Sequence, residues 1–194
     1  MPPQTAILGW GSLLWEDQPE FDQWHGTWKP DGPLLKLEFS RVSSTRLGAL
    51  TLVVDSEHGA ETRVAWCLSR RTTPDDAVAD LRCREGCPMS SIARLNVTTS
   101  SDDQSAAPEG AKDIAGWARA RELDVVVWAA LPGNFADKVR KPFSVQGAIE
   151  YLKGLSPPAK VKAAEYIWRA PAFVRTPLRR ALEQHPWFHE RESS

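Results

Sequence analysis

The sequence "ILGWGSLLWE" at residues 7–16 is the most informative stretch of this chain. An apolar run stops at Gly9 and Gly11, which flank Trp10 and are followed at once by Ser12. An apolar run that ends at glycine is typical of a buried strand leading into a turn. Glycine also leaves room for a ligand beside the main chain. The stretch predicts a strand ending in a loop whose amide N–H groups bind an anion or a developing oxyanion, or else a purely structural turn or bulge.

The composition is that of an ordinary globular protein, with 194 residues and a formal net charge of −1. This length predicts one domain over residues 1–194, with two small domains as the alternative. The near-zero charge gives no general electrostatic basis for binding nucleic acid or an anionic membrane. The longest apolar run is about half of the ~20 residues of a membrane span. An odd count of three cysteines and a start without secretory features predict a cytoplasmic protein with reduced thiols.

Strand patterns dominate the first half of the chain. Besides the run at 5–10, residues 34–43 alternate apolar and polar side chains and predict a strand with one buried face, leaving Glu38 and Ser40 on the other face. Two further strands follow, so residues 34–69 are interpreted as an antiparallel meander. The continuous apolar run within residues 123–134 predicts a central strand covered on both faces.

Helical patterns dominate the second half, and one helix interrupts the strands. Thr73 as N-cap, Pro74 in the first turn and Gly86 at the end predict a helix from Pro74 to Glu85. Further helices are predicted within residues 143–158, 158–170 and 176–185, and the polar stretch 100–112 is predicted to be an exposed loop. Strands first and helices mostly last predict an α+β fold, with the sheet closed as a small β-barrel flanked by helices.

Glu85 is the second feature that suggests chemistry. On a helical wheel Val78, Leu81 and Glu85 share one side, which predicts that the carboxylate lies on the buried face. Burial and the negative end of the helix dipole both disfavour the anion and raise a carboxyl pKa, which suits a general acid/base. The alternative is a surface ion pair with Arg82 or Arg84.

Together the two features resemble a known family. "LGWGSLLW" at residues 8–15 is similar to the first signature of the γ-glutamylcyclotransferase superfamily, nearest its ChaC-like branch. "LRCREG" at residues 81–86 is similar to the second signature, in which a glutamate precedes glycine near a helix end. The order of the motifs, with strands between them, also matches. The resemblance covers about the first 90 residues well.

The resemblance implies a barrel fold and an intramolecular reaction. The α-amine of a γ-glutamyl compound attacks its own side-chain amide, expels an amine and forms 5-oxoproline. Glu85 would be the general acid/base, and no metal or organic cofactor is implied. Trp10 stands where the family usually has tyrosine, so a phenol hydroxyl is not available there. The residues implied to bind the small-molecule γ-glutamyl substrate are Gly9, Trp10, Gly11, Ser12 and Leu13.

Two other interpretations of the same residues stay open. The first is a catalytically inactive domain that binds a small molecule or a partner through the same pocket. The second is an amide hydrolase or transferase in which Glu85 activates water or an external amine. The sequence makes no prediction of the oligomeric state.

Weaker patterns favour structural roles. Cys83 and Cys87 flank Glu85 but lack the spacing of a redox motif, and burial of small thiols explains them more simply. His185 and His189 have the spacing of a zinc pair, yet a proline between them breaks the helix that would align them. Three tryptophans that follow the first motif are candidates for a cleft wall: Trp15, Trp24 and Trp28.

Overall fold

The computed structural model describes residues 2–97 and 110–188. Within these ranges the chain forms seven β-strands and seven α-helices with short 3-10 helices between them, so the predicted α+β class is confirmed. The chain divides into two compact units. The first comprises Met1–Leu35 and Arg63–Leu131, and the second comprises Lys36–Thr62 and Pro132–Ser194. One domain over residues 1–194 stays a prediction.

The elements are numbered in chain order. The strands are β1 (Thr5–Gly9), β2 (Leu34–Val42), β3 (Leu50–Val54), β4 (Ala60–Arg63), β5 (Ala65–Leu68), β6 (Ile92–Asn96) and β7 (Val125–Ala129). The α-helices are α1 (Pro19–Asp22), α2 (Pro74–Glu85), α3 (Ala111–Arg119), α4 (Phe135–Val139), α5 (Val145–Gly154), α6 (Pro157–Arg169) and α7 (Pro177–Leu182).

The first unit is built on a four-stranded sheet with the strand order β5-β1-β7-β6. β1 runs antiparallel to β5 and parallel to β7, and β7 runs antiparallel to β6. β7 is therefore an inner strand, and its residues Val125 to Trp128 are buried as the apolar run predicts. Every residue of β1 is buried as well. These two central strands carry the loop at 10–16 on a rigid base.

The predicted meander over residues 34–69 is wrong in its strand order. β2 lies between β3 and β4, while β5 joins the other sheet. The turn after β3 crosses the start of β2: a Cβ at Gly59 would lie 2.7 Å from the backbone carbon of Lys36. Only glycine fits so close to another backbone, so the close approach of this turn to β2 depends on Gly59. The strands of the described residues form no closed barrel, and that prediction is not confirmed.

The alternation predicted for residues 34–43 is also wrong in part. Glu38 and Ser40 are buried, at 0% and 2% exposure, although the pattern places them on the polar face. The pairing of β2 with β3 shifts register between Glu38 and Arg41, so strict alternation is lost there. The Glu38 carboxylate accepts hydrogen bonds from the amides of Phe39 at 2.7 Å and Leu178 at 3.1 Å. These bonds compensate for the loss of water around a buried charge.

Helix α2 has the predicted bounds. The Thr73 hydroxyl accepts a hydrogen bond from the Asp76 amide at 3.2 Å, and Gly86 ends the helix in the left-handed conformation with φ of 57°. Ala77 and Leu81 of α2 pack into an apolar cluster of the first unit. The other members of this cluster come from β1, the loop after it, α1 and the sheet: Ile7, Leu13, Phe21, Cys67, Ile92, Val125 and Val127.

The later helices predicted from the sequence are confirmed as α5, α6 and α7. Four elements carry too weak a local signal and were missed: α1, α3, α4 and β6. Of the predicted loop at 100–112, residues 100–109 lie outside the described residues, Gly110 is the N-cap of α3, and residues 111–112 are its first two residues. Among the helices in the described ranges, none is both long enough and apolar enough to cross a membrane.

Candidate functional site

Gly9 ends β1, and its lack of a side chain has a packing reason. A Cβ at this position would lie 2.9 Å from two ring carbons of Trp28, well inside van der Waals contact. Trp28 in turn packs against the apolar cluster of the first unit. Gly9 therefore allows the indole to lie on the end of the strand. The structure gives this glycine a structural role, and its proposed contact with substrate stays a prediction.

Residues 10–13 form the loop that the first motif predicts, and all four are buried. Within residues 2–97 and 110–188, the amides of Trp10, Gly11, Ser12 and Leu13 donate to no backbone carbonyl. The three amides that follow, at 14–16, bond back to the carbonyls of Gly11 and Ser12. Buried amides without an acceptor are rare and costly in folded proteins. Four in succession make this loop a candidate site for an anionic group.

Glu85 is the last residue of α2 and is half-buried. The helical-wheel prediction is shifted by about one residue: the buried positions of α2 are Ala77, Leu81 and Arg84. Val78 and Glu85 lie at the border of this face and are half-buried. The reason is that Ala77 packs into the core although its side chain is small. The predicted face began at Val78 and therefore left Ala77 out.

Arg84 joins the end of α2 to the loop. Its side chain is 4% exposed, and Nη2 donates to the carbonyl oxygens of Ser12 at 3.0 Å and Glu16 at 3.3 Å. The same nitrogen lies 3.7 Å from a carboxylate oxygen of Glu16. Nε of Arg84 is buried and has no hydrogen-bond partner among the residues that the structure describes. A buried guanidinium thus contacts the loop, and its Nε–H donor forms no hydrogen bond within the described residues.

The structure therefore brings the last turn of α2 to the loop of residues 10–16, while a meeting of the Glu85 carboxylate with the loop amides stays a prediction. The contact is made through Arg84, which the sequence analysis considered only as a surface partner of Glu85. A signal was present: Ala77, Leu81 and Arg84 have the spacing i, i+4 and i+7 of one helix face. Small size made Ala77 easy to overlook as the start of that face.

His25 is another buried titratable residue near the first strand, and its contacts are those of a structural residue. Its Nδ1 lies 2.6 Å from the carbonyl oxygen of Gly26, and its Nε2 lies 3.3 Å from a carboxylate oxygen of Asp22. The imidazole ring also contacts Trp28, with centroids 5.2 Å apart. Both ring nitrogens therefore have protein partners, and the ring supports the indole that covers Gly9.

The weaker candidates of the sequence have the following positions. Cys83 is exposed and Cys87 is half-buried, so the expected burial is wrong for Cys83. Trp24 stacks on the Arg71 guanidinium, whose central carbon lies 3.5 Å from the ring centre. His185 is half-buried, and His189 lies outside the described residues. In residues 2–97 and 110–188, no three His, Cys, Asp or Glu side chains are grouped as metal ligands.

Comparison with known proteins gave no match: no protein-family model, no curated protein and no solved structure is similar enough to this chain. The family resemblance therefore depends on the two sequence motifs. What it implies for this chain is a proposal, to be weighed against the geometry above.

Proposed function

We propose that this protein is a γ-glutamylcyclotransferase-type enzyme that converts a γ-glutamyl amine, amino acid or peptide to 5-oxoproline and a free amine. The observation that carries the proposal is the contact of the last turn of α2, which holds Glu85, with a loop whose buried amides at 10–13 have no carbonyl partner. The small β-barrel that the resemblance implies is likewise a proposal. So are a cytoplasmic location and a reaction without a cofactor.

The unpartnered amides fit the needs of the reaction. The substrate contains both the nucleophilic amine and the amide that it attacks, so the protein must fold one molecule into ring-closing geometry. Amides fixed by the rigid end of β1 hold the substrate carboxylate or the oxyanion that develops on the attacked carbonyl. Because they belong to the main chain, no reorganisation is needed when that charge appears.

Glu85 supplies the proton transfer in this proposal. Its carboxylate takes a proton from the α-ammonium group, and the freed amine forms a bond to the γ-carbonyl carbon. The bond from that carbon to the leaving nitrogen then breaks as Glu85 returns the proton to the departing amine. The second proton, which the ring nitrogen gives up, passes to the released amine, and this amine leaves as an ammonium ion. Glu85 is the last residue of α2 and is half-buried, so its carboxyl group stands at the helix end that contacts the loop.

The test is the release of 5-oxoproline from a panel of γ-glutamyl compounds, measured by mass spectrometry. We expect turnover by the wild-type protein and its loss in Glu85→Gln, which keeps the shape of the side chain but cannot transfer a proton. Glu20→Gln is the matched control, since Glu20 is an exposed glutamate on α1. We expect near wild-type turnover from it. Equal turnover in Glu85→Gln and Glu20→Gln would rule out the assigned role.

The products separate the alternatives. An amide hydrolase that uses Glu85 to activate water releases glutamate in place of 5-oxoproline. A binding domain on the same scaffold releases neither product but is still stabilised by its ligand.

A further inference from the structure

We infer that Arg84 makes the loop of residues 10–13 a site selective for a carboxylate, by orienting the Ser12–Leu13 peptide and by supplying a buried positive charge. The choice of a γ-glutamyl carboxylate as its ligand rests on the proposed function. The carboxylate site itself rests only on the geometry around Arg84. Arg84 is here a positioning residue that acts largely through the main chain of the loop.

Arg84 contributes to the orientation through a hydrogen bond to the Ser12 carbonyl. The amides of Trp15 and Glu16 bond to the same carbonyl. Nη2 of Arg84 donates to the Ser12 carbonyl at 3.0 Å. The Ser12–Leu13 peptide is trans, so its N–H points away from its C=O. With the carbonyl held toward Arg84, the Leu13 amide is turned away from the helix and has no carbonyl to bond to in the described residues. Of the three hydrogen bonds that the Ser12 carbonyl accepts in the described residues, the one from Arg84 is the only one from a side chain.

The charge of Arg84 is only partly balanced. The side chain is 4% exposed, and the nearest carboxylate that it contacts, that of Glu16, is 3.7 Å from Nη2. A charge-assisted hydrogen bond between such groups has a length of about 2.7–2.9 Å. Nε is buried without a partner in the part of the chain that the structure describes.

These two observations point to the same chemical class of ligand. Buried N–H donors and a buried cation together favour an anion, because the alternative is an unpaired donor and an unbalanced charge. A carboxylate offers two acceptor oxygens to the amides and a charge that the nearby guanidinium favours, whereas a neutral amide of the same shape offers one acceptor oxygen and no charge. We therefore expect selection of a carboxylate over the matching carboxamide.

The sequence offers a direct reporter. Ser12–Leu13 is the only Ser-Leu pair in the chain. Labelling serine with ¹³C at the carbonyl and leucine with ¹⁵N therefore isolates one peptide, which contains both the Arg84 acceptor and the Leu13 amide. This signal is followed by NMR while acetate, acetamide, 5-oxoproline or 5-oxoprolinamide is added.

For the wild-type protein we expect the labelled signal to shift and saturate as acetate or 5-oxoproline is added. The affinity for the two amides should be at least about tenfold weaker. Arg84→Met should remove this preference, and Arg84→Lys, which keeps the charge but not the planar fork, should retain part of it. Arg82→Met is the control: Arg82 lies exposed in the same turn, and its variant should behave as wild type.

Acetate separates this inference from the proposed function. If acetate shifts the Leu13 signal through Arg84 but no γ-glutamyl compound gives 5-oxoproline, the carboxylate site stands and the cyclotransferase proposal fails. If 5-oxoproline is released but Arg84→Met or Arg84→Lys keeps the full preference for carboxylate, the inference is wrong and the function stands. Absence of a saturable shift with acetate in the wild-type protein also overturns it, whether or not the variants fold.

Discussion

Arg84 in the first unit and Glu38 in the second are both buried charges, but their surroundings differ. Glu38 has its two carboxylate oxygens occupied, one by the Phe39 amide and one by the Leu178 amide. Arg84 donates through a single nitrogen and leaves its buried Nε without a partner among the described residues. A charge that the fold satisfies holds the structure together, whereas one that the fold leaves incomplete is available to the carboxylate site that we infer.

The position of Glu38 supports this interpretation. Leu178 is in the first turn of α7, so the carboxylate caps that helix from β2. The hydroxyl of Thr176 adds a hydrogen bond to the same carboxylate. An anion at a helix N-terminus is favoured by the dipole as well as by the unpaired amides there. The role of Glu38 is thereby explained without any ligand.

The largest expected effect is a loss of stability in Glu38→Ala. The change leaves the amides of Phe39 and Leu178 buried without an acceptor and opens a cavity. We expect the free energy of unfolding to fall by about 3–5 kcal/mol, measured by urea denaturation. Glu61→Ala, at an exposed position on β4, should cost far less. Equal losses would contradict the view that the capped carboxylate is a structural element.

The next effect tests whether Gly9 serves packing. In Gly9→Ala the new methyl group meets the Trp28 ring, and overpacking of this kind costs about 2 kcal/mol. In a protein that already carries Trp28→Leu, Gly9→Ala should cause almost no further loss of stability. A double-mutant cycle measured by calorimetry detects this difference. The control is Gly116→Ala, an exposed helical site with nothing near the added Cβ, which should stabilise slightly. Additive effects of the two changes would show that Gly9 is not kept for Trp28.

A smaller effect is expected at the other end of α2. Thr73→Ala removes the acceptor for the Asp76 amide and should lower stability by about 1 kcal/mol. Binding of acetate at the Leu13 amide should not change, because the first turn is distant along the helix from Arg84. Thr72→Ala, one residue before the cap and exposed, serves as the control. A change in acetate affinity with Thr73→Ala would mean that the site depends on the whole helix.

The smallest effect is a dependence of stability on pH. Burial raises the pKa of Glu38 above its ordinary 4.5, and the negative charge of Asp55 raises it further. Hydrogen bonds from Thr176, Phe39 and Leu178 act in the opposite direction but do not cancel the rise. The folded state therefore binds this proton more tightly than the unfolded state does. The contribution is complete below pH 4.5 and is lost as the pH rises through the folded-state pKa.

Glu38→Gln lacks this titration. As the pH rises from 4, the wild type should therefore lose stability relative to Glu38→Gln. Urea denaturation of both proteins across about three pH units measures this difference in unfolding free energy. A constant difference over that range would mean that burial does not perturb the carboxyl.

Local signals account for what could be predicted. Thr73, Pro74 and Gly86 define α2 within one stretch of sequence, because capping and backbone preference act over only a few residues. β1 and β7 were found because an apolar run of that length is typical of a strand covered on both faces. The loop of residues 10–13 was predicted from its glycines for the same local reason.

What the sequence could not give depends on contacts between distant segments. The order β3-β2-β4 brings the turn at Gly59 against β2, and the burial of Glu38 follows from an amide 140 residues further on. Arg84 reaches Ser12 across 72 residues. No pattern of neighbouring residues encodes such pairings, because many alternative partners satisfy the same local preferences.

By itself, then, the sequence determined an α+β chain, the strand that carries the loop, and a helix that ends at Glu85. Only the tertiary structure decided that Arg84 is a buried residue that contacts the loop, and that Gly9 makes room for Trp28. The physical reason is that apolar burial and chain stiffness act locally, whereas the satisfaction of a buried charge requires partners that only the folded chain brings together.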